Sequence, residues 1–117
     1  MTIDLADVAV VLTSISADAD AVALARTLVD EGLAACVNIL APMQSVYRWQ
    51  GAVQVEREQQ LMIKTAPAKL PALETRLHQL HPYELPEFVV LGAEASLAYT
   101  EWVASSARDA TAEPADD

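Results

Sequence analysis

Residues 34–65, AACVNILAPMQSVYRWQGAVQVEREQQLMIKT, predict two long β-strands joined by a tight turn. The first part, 34–49, is rich in β-branched and aromatic residues, which are typical of strands. The second part, 52–65, alternates between two sets of side chains with the period of two that a strand requires. Gln50 and Gly51 lie between them and form the turn. We therefore predict a long hairpin that pairs these two strands.

The half of the hairpin next to the turn has polar side chains on both faces, and Pro42 predicts a bend or an exposed edge in its first strand. A strand pair packed inside a monomer needs an apolar face, so this half either projects into water or meets another subunit. Tyr47 and Trp49 lie two residues apart, on one side of the strand. Aromatic residues are enriched at protein interfaces, so we assign both to a subunit interface, with an intrasubunit core as the alternative.

The segments before the hairpin predict a central strand and a helix. Residues 6–13, ADVAVVLT, form a nearly continuous apolar run of the length of a strand buried on both faces. Asp18 and Asp20 place negative charge at the start of the helix that follows. Gly32 ends this helix in the left-handed conformation, which lets Leu33 fold back onto Leu28 in a Schellman motif.

The segments after the hairpin predict a helix, a strand and a last helix. Pro67 opens the first of these helices and Pro82 stops it. Four leucines at helical spacing give that helix one apolar stripe: Leu70, Leu73, Leu77 and Leu80. Residues 88–91, FVVL, predict a further buried strand, and Ser96 caps the last helix.

The predicted order of elements is β, α, β, β, α, β, α. A βαββαβ chain builds a four-stranded antiparallel sheet with both helices on one face, which is the ferredoxin-like plan. The predicted fold class is therefore α+β, a ferredoxin-like βαββαβ sandwich with an extra C-terminal helix. This plan leaves the second sheet face bare, and exposing apolar surface costs about 25 cal/mol per Å². We therefore expect the subunits to associate.

Composition limits the domain count and the partners. The chain has 117 residues and a formal net charge of −10, with 17 acidic and 7 basic residues. This length suits a single domain, predicted over residues 1–108, and residues 109–117 predict a disordered acidic tail. The negative charge disfavours nucleic acid and anionic membrane surfaces as partners. A single cysteine, no membrane-length apolar run and an N-terminus without a basic signal sequence predict a cytoplasmic protein.

Five blocks of sequence, in order and with matching gaps, resemble the CutA family, which is named for divalent-cation tolerance. They are AACVN at 34–38, SVYRWQG at 45–51, MIKT at 62–65, HPYELPE at 81–87 and YTEW at 99–102. The resemblance implies a homotrimer of ferredoxin-like subunits, similar in architecture to the PII signalling proteins. It also implies binding of Cu(II) or another divalent cation, and no established enzymatic reaction.

The candidate metal ligands are His81, which the resemblance implies, and Glu84 and Cys36, whose residue types suit a metal. His81 opens the His-Pro-Tyr motif that the family associates with copper, and imidazole suits Cu(II). Its alternative role is to hydrogen-bond the last carbonyls of its helix. Glu84 could add an oxygen ligand, and Cys36 either a soft ligand or a buried thiol. Two positions at which some relatives have ligands hold Leu80 and Thr13 here.

Three functions follow from these features. The first is a cytosolic homotrimer that binds divalent metal weakly and serves metal tolerance. The second is a PII-like sensor with a small ligand in the cleft between subunits. The third is a structural trimeric platform for other proteins. The chain has neither a glycine-rich phosphate loop nor a nucleophile-elbow motif, so we do not expect an enzyme.

Overall fold

A computed structural model describes residues 5–108, which form five strands and three helices. The strands are β1 (Leu5–Ser16), β2 (Cys36–Ile39), β3 (Met43–Trp49), β4 (Ala52–Thr65) and β5 (Val89–Ser96). The helices are α1 (Ala21–Asp30), α2 (Leu70–Leu80) and α3 (Leu97–Ser106), and a 3₁₀ turn at Pro67–Lys69 precedes α2. This order confirms the predicted α+β fold class and the predicted succession of elements.

The sheet has the strand order β2-β4-β1-β5, and every pair in it is antiparallel. Both β2 and β3 pair with β4, one after the other, so the predicted hairpin is confirmed with its first strand interrupted around Pro42. We call β3 together with residues 52–58 of β4 the arm. Its turn places Gln50 at φ 51° and Gly51 at φ 82°, the positive values that a two-residue hairpin turn of type I′ requires.

Helix α1 has the ends that its sequence predicts. An Asp20 carboxylate oxygen accepts a hydrogen bond from the Ala23 N–H at 3.0 Å, which caps the first turn. At the other end Gly32 has φ 73°, and the Leu33 N–H donates to the Leu28 carbonyl at 3.0 Å. These contacts confirm the Schellman motif and fix the direction in which the chain leaves the helix.

The main core lies between one sheet face and the two helices α1 and α2. Its fully buried side chains are Val11, Leu28, Leu61, Ile63, Leu73 and Leu77. The leucine stripe predicted for α2 is confirmed: its two middle residues are fully buried, and Leu70 and Leu80 pack against the same core. Helix α2 therefore ends with its last turn held on the sheet, which positions the loop that follows.

The second sheet face is only partly bare, because α3 packs across one end of it. Val103 of α3 is buried there together with Val8 of β1. The predicted strand at 88–91 is confirmed, since Val89 begins β5, but its predicted burial is wrong for this subunit. Strand β5 is an edge strand, and Val89 and Leu91 remain 44% and 49% exposed beyond the reach of α3.

Two predictions concern parts of the chain beyond the described residues. The disordered acidic tail at 109–117 lies outside them, and the domain bounds 1–108 stay a prediction. Within residues 5–108, no helix is long and apolar enough to cross a membrane.

Candidate functional site

A cleft lies between the arm and the loop that follows α2. Its volume is about 640 Å³. The arm contributes Tyr47, Trp49, Gln54, Glu56 and Glu58; the loop contributes Tyr83, Glu84, Leu85 and Glu87; and β1 contributes Ser14. The cleft thus combines three aromatic rings with four glutamates and has no basic residue in its lining. We call it the acidic cleft.

Strand register explains why the arm presents these side chains together. Tyr47 pairs with Gln54, and alternate residues of a strand share a face, so Tyr47 and Trp49 lie on the same face as Glu56 and Glu58. The sheet face on which they lie is the one that α1 and α2 leave uncovered. The acidic cleft occupies one end of that face, and α3 occupies the other.

Hydroxyl groups hold three of the four glutamates in place. The Tyr83 hydroxyl donates to Glu58 at 2.6 Å, and the Tyr47 hydroxyl donates to Glu56 at 2.9 Å. Ser14 donates to Glu87 at 2.9 Å. These donors are all uncharged. The one ion pair found within residues 5–108, Arg76 with Glu31, lies outside the cleft.

The two tyrosines of the cleft are held in their protonated form. Burial, followed by the hydrogen bond to Glu58, raises the pKa of Tyr83 well above its ordinary value. The hydrogen bond to Glu56 likewise raises the pKa of Tyr47. Both phenols therefore remain donors at neutral pH, and each occupies one oxygen of its glutamate.

His81 lies beneath the cleft and contacts two of its lining residues, Ser14 and Tyr83. Its ring is 6% exposed, and Nε2 lies 2.8 Å from the Ser14 carbonyl oxygen, which can only accept a hydrogen bond. Its Nδ1 accepts the backbone N–H of Tyr83 at 3.1 Å. These partners assign the neutral tautomer with the proton on Nε2. Burial lowers the pKa of the ring, which favours the same neutral form. Both ring nitrogens are thus engaged in hydrogen bonds.

The predicted metal ligands occupy different parts of the subunit. Glu84 lines the acidic cleft, whereas His81 is buried next to it with no free lone pair. Cys36 is half-buried at the start of β2 and pairs with Lys64, which in turn pairs with Val10. Val10 lies four residues from Ser14, about 13 Å along β1. The subunit therefore does not bring Cys36 to His81.

The other residues singled out by the sequence have structural surroundings. Thr13 is fully buried in the core, and its hydroxyl has no hydrogen-bond partner there. Leu80 packs at the margin of the same core. Across residues 5–108, no group of three or more His, Cys, Asp or Glu side chains is arranged to hold a metal ion. The part of the subunit from residue 5 to residue 108 thus lacks a preformed chelating site.

The faces of the arm differ from the expectation that both are polar. On the face opposite the cleft, Val46, Val53 and Val55 are 68%, 61% and 62% exposed. Sequence reasoning missed this valine face, although the pairing of Val46 with Val55 across a symmetric hairpin would have indicated it. Tyr47 and Trp49, each 37% exposed, belong to the acidic cleft, and their role at a subunit interface stays a prediction.

Sequence reasoning also missed the pairing of Glu58 with Tyr83, which are 25 residues apart. One sequence signal could have indicated the cleft. Glu56 and Glu58 are spaced by two on β4, and Tyr47 and Trp49 have the same spacing on β3, its hairpin partner.

The fold and the cleft define the class of protein: a ferredoxin-like α+β subunit with an acidic, aromatic cleft and exposed apolar surface. Residues 9–106 match the family model described as CutA1 divalent ion tolerance protein. The chain therefore belongs to the CutA1 family.

Curated relatives agree with this assignment. A divalent-cation tolerance protein CutA from Thermus thermophilus is 43% identical over 95 residues, which cover 80% of this chain and 92% of the relative. A chloroplastic Protein CutA 1 from Oryza sativa is 41% identical over 87 residues, 74% of this chain. That match covers 49% of the rice protein, so this chain corresponds to about half of it.

Solved structures are similar over most of the chain. CutA from Synechococcus elongatus superposes with a TM-score of 0.83 at 44% identity, covering 92% of this chain and 96% of that one. A second structure of that protein, described as complexed with a Bis-Tris molecule, has a TM-score of 0.78 at 46% identity and covers 86% and 94%. A protein from Nostoc described as PII-like has a TM-score of 0.79 at 36% identity, with coverage of 86% and 97%.

Proposed function

We propose that this protein is a homotrimeric divalent-cation tolerance protein that binds cations weakly in the acidic cleft. The observation that carries the proposal is the set of four cleft glutamates: three of them accept hydrogen bonds from neutral hydroxyls, and no basic residue lines the cleft. Uncompensated carboxylates in a concave surface attract cations, and the walls focus their field. The names of the relatives support the same role in divalent-cation tolerance.

The binding is weak because the residues present do not fit a closed coordination sphere. Tight sites for divalent ions gather several ligands within about 2.0–2.6 Å of the metal. The described residues offer no such group, and both His81 nitrogens are engaged. Divalent ions, with Cu(II) among them, are therefore held by charge and by carboxylate oxygens. A His81–metal bond would first have to displace either Ser14 or Tyr83.

Fluorescence of Trp49 tests this proposal, because Trp49 lines the cleft and the other tryptophan, Trp102, lies on α3. In a Trp102→Phe background, we expect Cu(II) and Ca(II) to change the signal saturably, with weak affinity. Glu56→Gln should weaken the effect, whereas the matched control Glu74→Gln removes an exposed acid of α2 and should leave it unchanged. Identical titrations for the two variants would refute cation binding in the cleft.

His81 needs a separate titration. We expect His81→Gln to bind Cu(II) as the parent protein does, because the ring nitrogens are already engaged. If His81→Gln loses copper binding while Glu56→Gln binds copper as the parent protein does, His81 is the copper ligand.

Trimer formation is supported by apolar surface that the subunit leaves uncovered. The valine face of the arm is 61% to 68% exposed, and Val89 and Leu91 of β5 are 44% and 49% exposed. We expect light scattering to give the mass of a trimer, about three times 12.6 kDa. Introducing charge with Val46→Glu and Val55→Glu should dissociate it, while Val22→Glu, at a similarly exposed position on α1, should not. A monomeric parent protein would refute the assembly.

A PII-like small-ligand sensor is the second candidate, and the aromatic walls of the cleft favour it. The related structures described as PII-like and as a Bis-Tris complex lend further support. Signalling through a long loop between the second and third strands is not part of this proposal, because a two-residue turn joins β3 to β4.

We further propose that the protein is cytoplasmic and has no catalytic activity of its own.

A further inference from the structure

We propose that the preferred occupant of the acidic cleft is a small organic ammonium ion and not a bare metal ion. This inference rests on the proposed function in one respect, namely that the cleft binds cations. It adds the chemical class of the ligand. Size, wall chemistry and the arrangement of charge each support it.

The size of the cleft suits a molecule. Small-molecule sites enclose about 300–1,000 Å³, and the acidic cleft measures about 640 Å³. A bare ion in that space would contact few of its walls, and the described residues do not converge into a set of metal ligands. An organic cation can instead contact several walls at once.

The walls have the chemistry that recognises an ammonium group. Tyr47, Trp49 and Tyr83 bring three aromatic rings to one cleft. Aromatic rings attract cations through their quadrupole, and Trp is the most effective. A metal ion surrounded by its hydration shell gains less from such rings than an alkylated ammonium ion, whose methyl and methylene groups also bury apolar surface.

The charges lie beside the rings. Glu56 and Glu58 lie two residues apart on one strand face, about 7 Å along β4. A tyrosine hydroxyl occupies one oxygen of each carboxylate and fixes its position next to that ring. The exposed Glu56 carboxylate keeps its second oxygen for an N–H donor of the ligand, whereas Glu58, which is 6% exposed, contributes mainly its negative charge. A metal ion would need oxygens of both carboxylates to converge, whereas an organic cation can contact the Glu56 carboxylate and the neighbouring rings together.

Calorimetry on the full-length protein tests the inference, with choline chloride and putrescine dihydrochloride as probes and sodium chloride at equal ionic strength as the reference. We expect saturable binding of at least one organic cation, at least tenfold tighter than that of Ca(II). Trp49→Leu should weaken organic-cation binding at least fivefold and leave Ca(II) binding unchanged. Glu58→Gln should weaken the binding of organic cations and of Ca(II). If Glu58→Gln does not fold, Glu56→Gln, at an exposed position, is used in its place.

The outcomes separate this inference from the proposed function. Saturable binding of Ca(II) or Cu(II) with no binding of either organic cation overturns the inference and leaves the cation-binding function standing. Organic-cation binding that Trp49→Leu does not change also overturns it, since the aromatic walls would then play no part. Absence of every cation from the cleft refutes both.

Discussion

His81 gives the sharpest test of how the site is built. Its ring makes two hydrogen bonds, at 2.8 Å to the Ser14 carbonyl and at 3.1 Å to the Tyr83 N–H, and it is almost wholly buried. Each such bond contributes about 1 kcal/mol, and leaving the Ser14 carbonyl buried without a partner adds to the loss. We expect His81→Ala to lower the free energy of unfolding by about 2–3 kcal/mol.

The same ring predicts how stability depends on pH. Burial lowers the pKa of His81 below its ordinary 6.5, against the weaker opposing effects of Ser14 and Glu58 and together with a small effect of His78. The unfolded chain therefore binds the proton more readily. The contribution of His81 is fully present above pH 6.5 and is lost as the pH falls below it, at no more than about 1.4 kcal/mol per pH unit.

Urea unfolding from pH 7.5 to pH 5 measures both effects, at a fixed protein concentration because association shifts apparent stability. His81→Gln keeps a neutral N–H donor for Ser14 and should lose the histidine part of the pH slope. His78→Gln removes an exposed histidine whose Nδ1 lies 2.9 Å from the Glu74 carbonyl, and it is the matched control. Equal slopes for His81→Gln and the parent would refute the buried neutral ring.

Three further substitutions probe the rest of the subunit. Tyr83→Phe leaves the Glu58 carboxylate without its 2.6 Å donor and should cost about 1.5–3 kcal/mol in urea unfolding; an unchanged midpoint would contradict that hydrogen bond. Leu77→Ala empties a fully buried position and should cost about 2–5 kcal/mol, whereas Leu85→Ala, 68% exposed, should cost almost nothing by the same assay. Gly51→Ala places a Cβ at φ 82° and should cost about 1 kcal/mol, measured as a lower melting temperature.

Local patterns predicted the elements well. Asp20 and Gly32 specify the two ends of α1 because capping depends on neighbours within a few residues. The alternation along β4 predicted that it is a strand, because strand geometry admits only one period, but the valine face of its arm half was missed. The apolar run at 88–91 predicted a strand but not its exposure. Such a run marks a surface to be buried without saying whether the subunit itself buries it.

The site depended on contacts that the sequence does not reveal. Glu58 and Tyr83 meet only because α2 brings its following loop back to the arm. His81 was recognised through its motif, yet its surroundings decide its chemistry: two backbone groups take both of its nitrogens. Residue type and spacing identify groups able to bind a metal, and tertiary hydrogen bonding determines whether they are free to do so.

Strand β4 connects the arm to the core, because its 14 residues run from one to the other without interruption. Ile63 is fully buried at one end, and Val53 is 61% exposed at the other. Protection of its amides against hydrogen exchange should therefore decline steadily from Ile63 towards Val53. Whatever restrains Glu56 and Glu58, halfway along, lengthens the protected part of the strand. Hydrogen exchange of the arm amides of β4 thus reports whether the cleft is occupied.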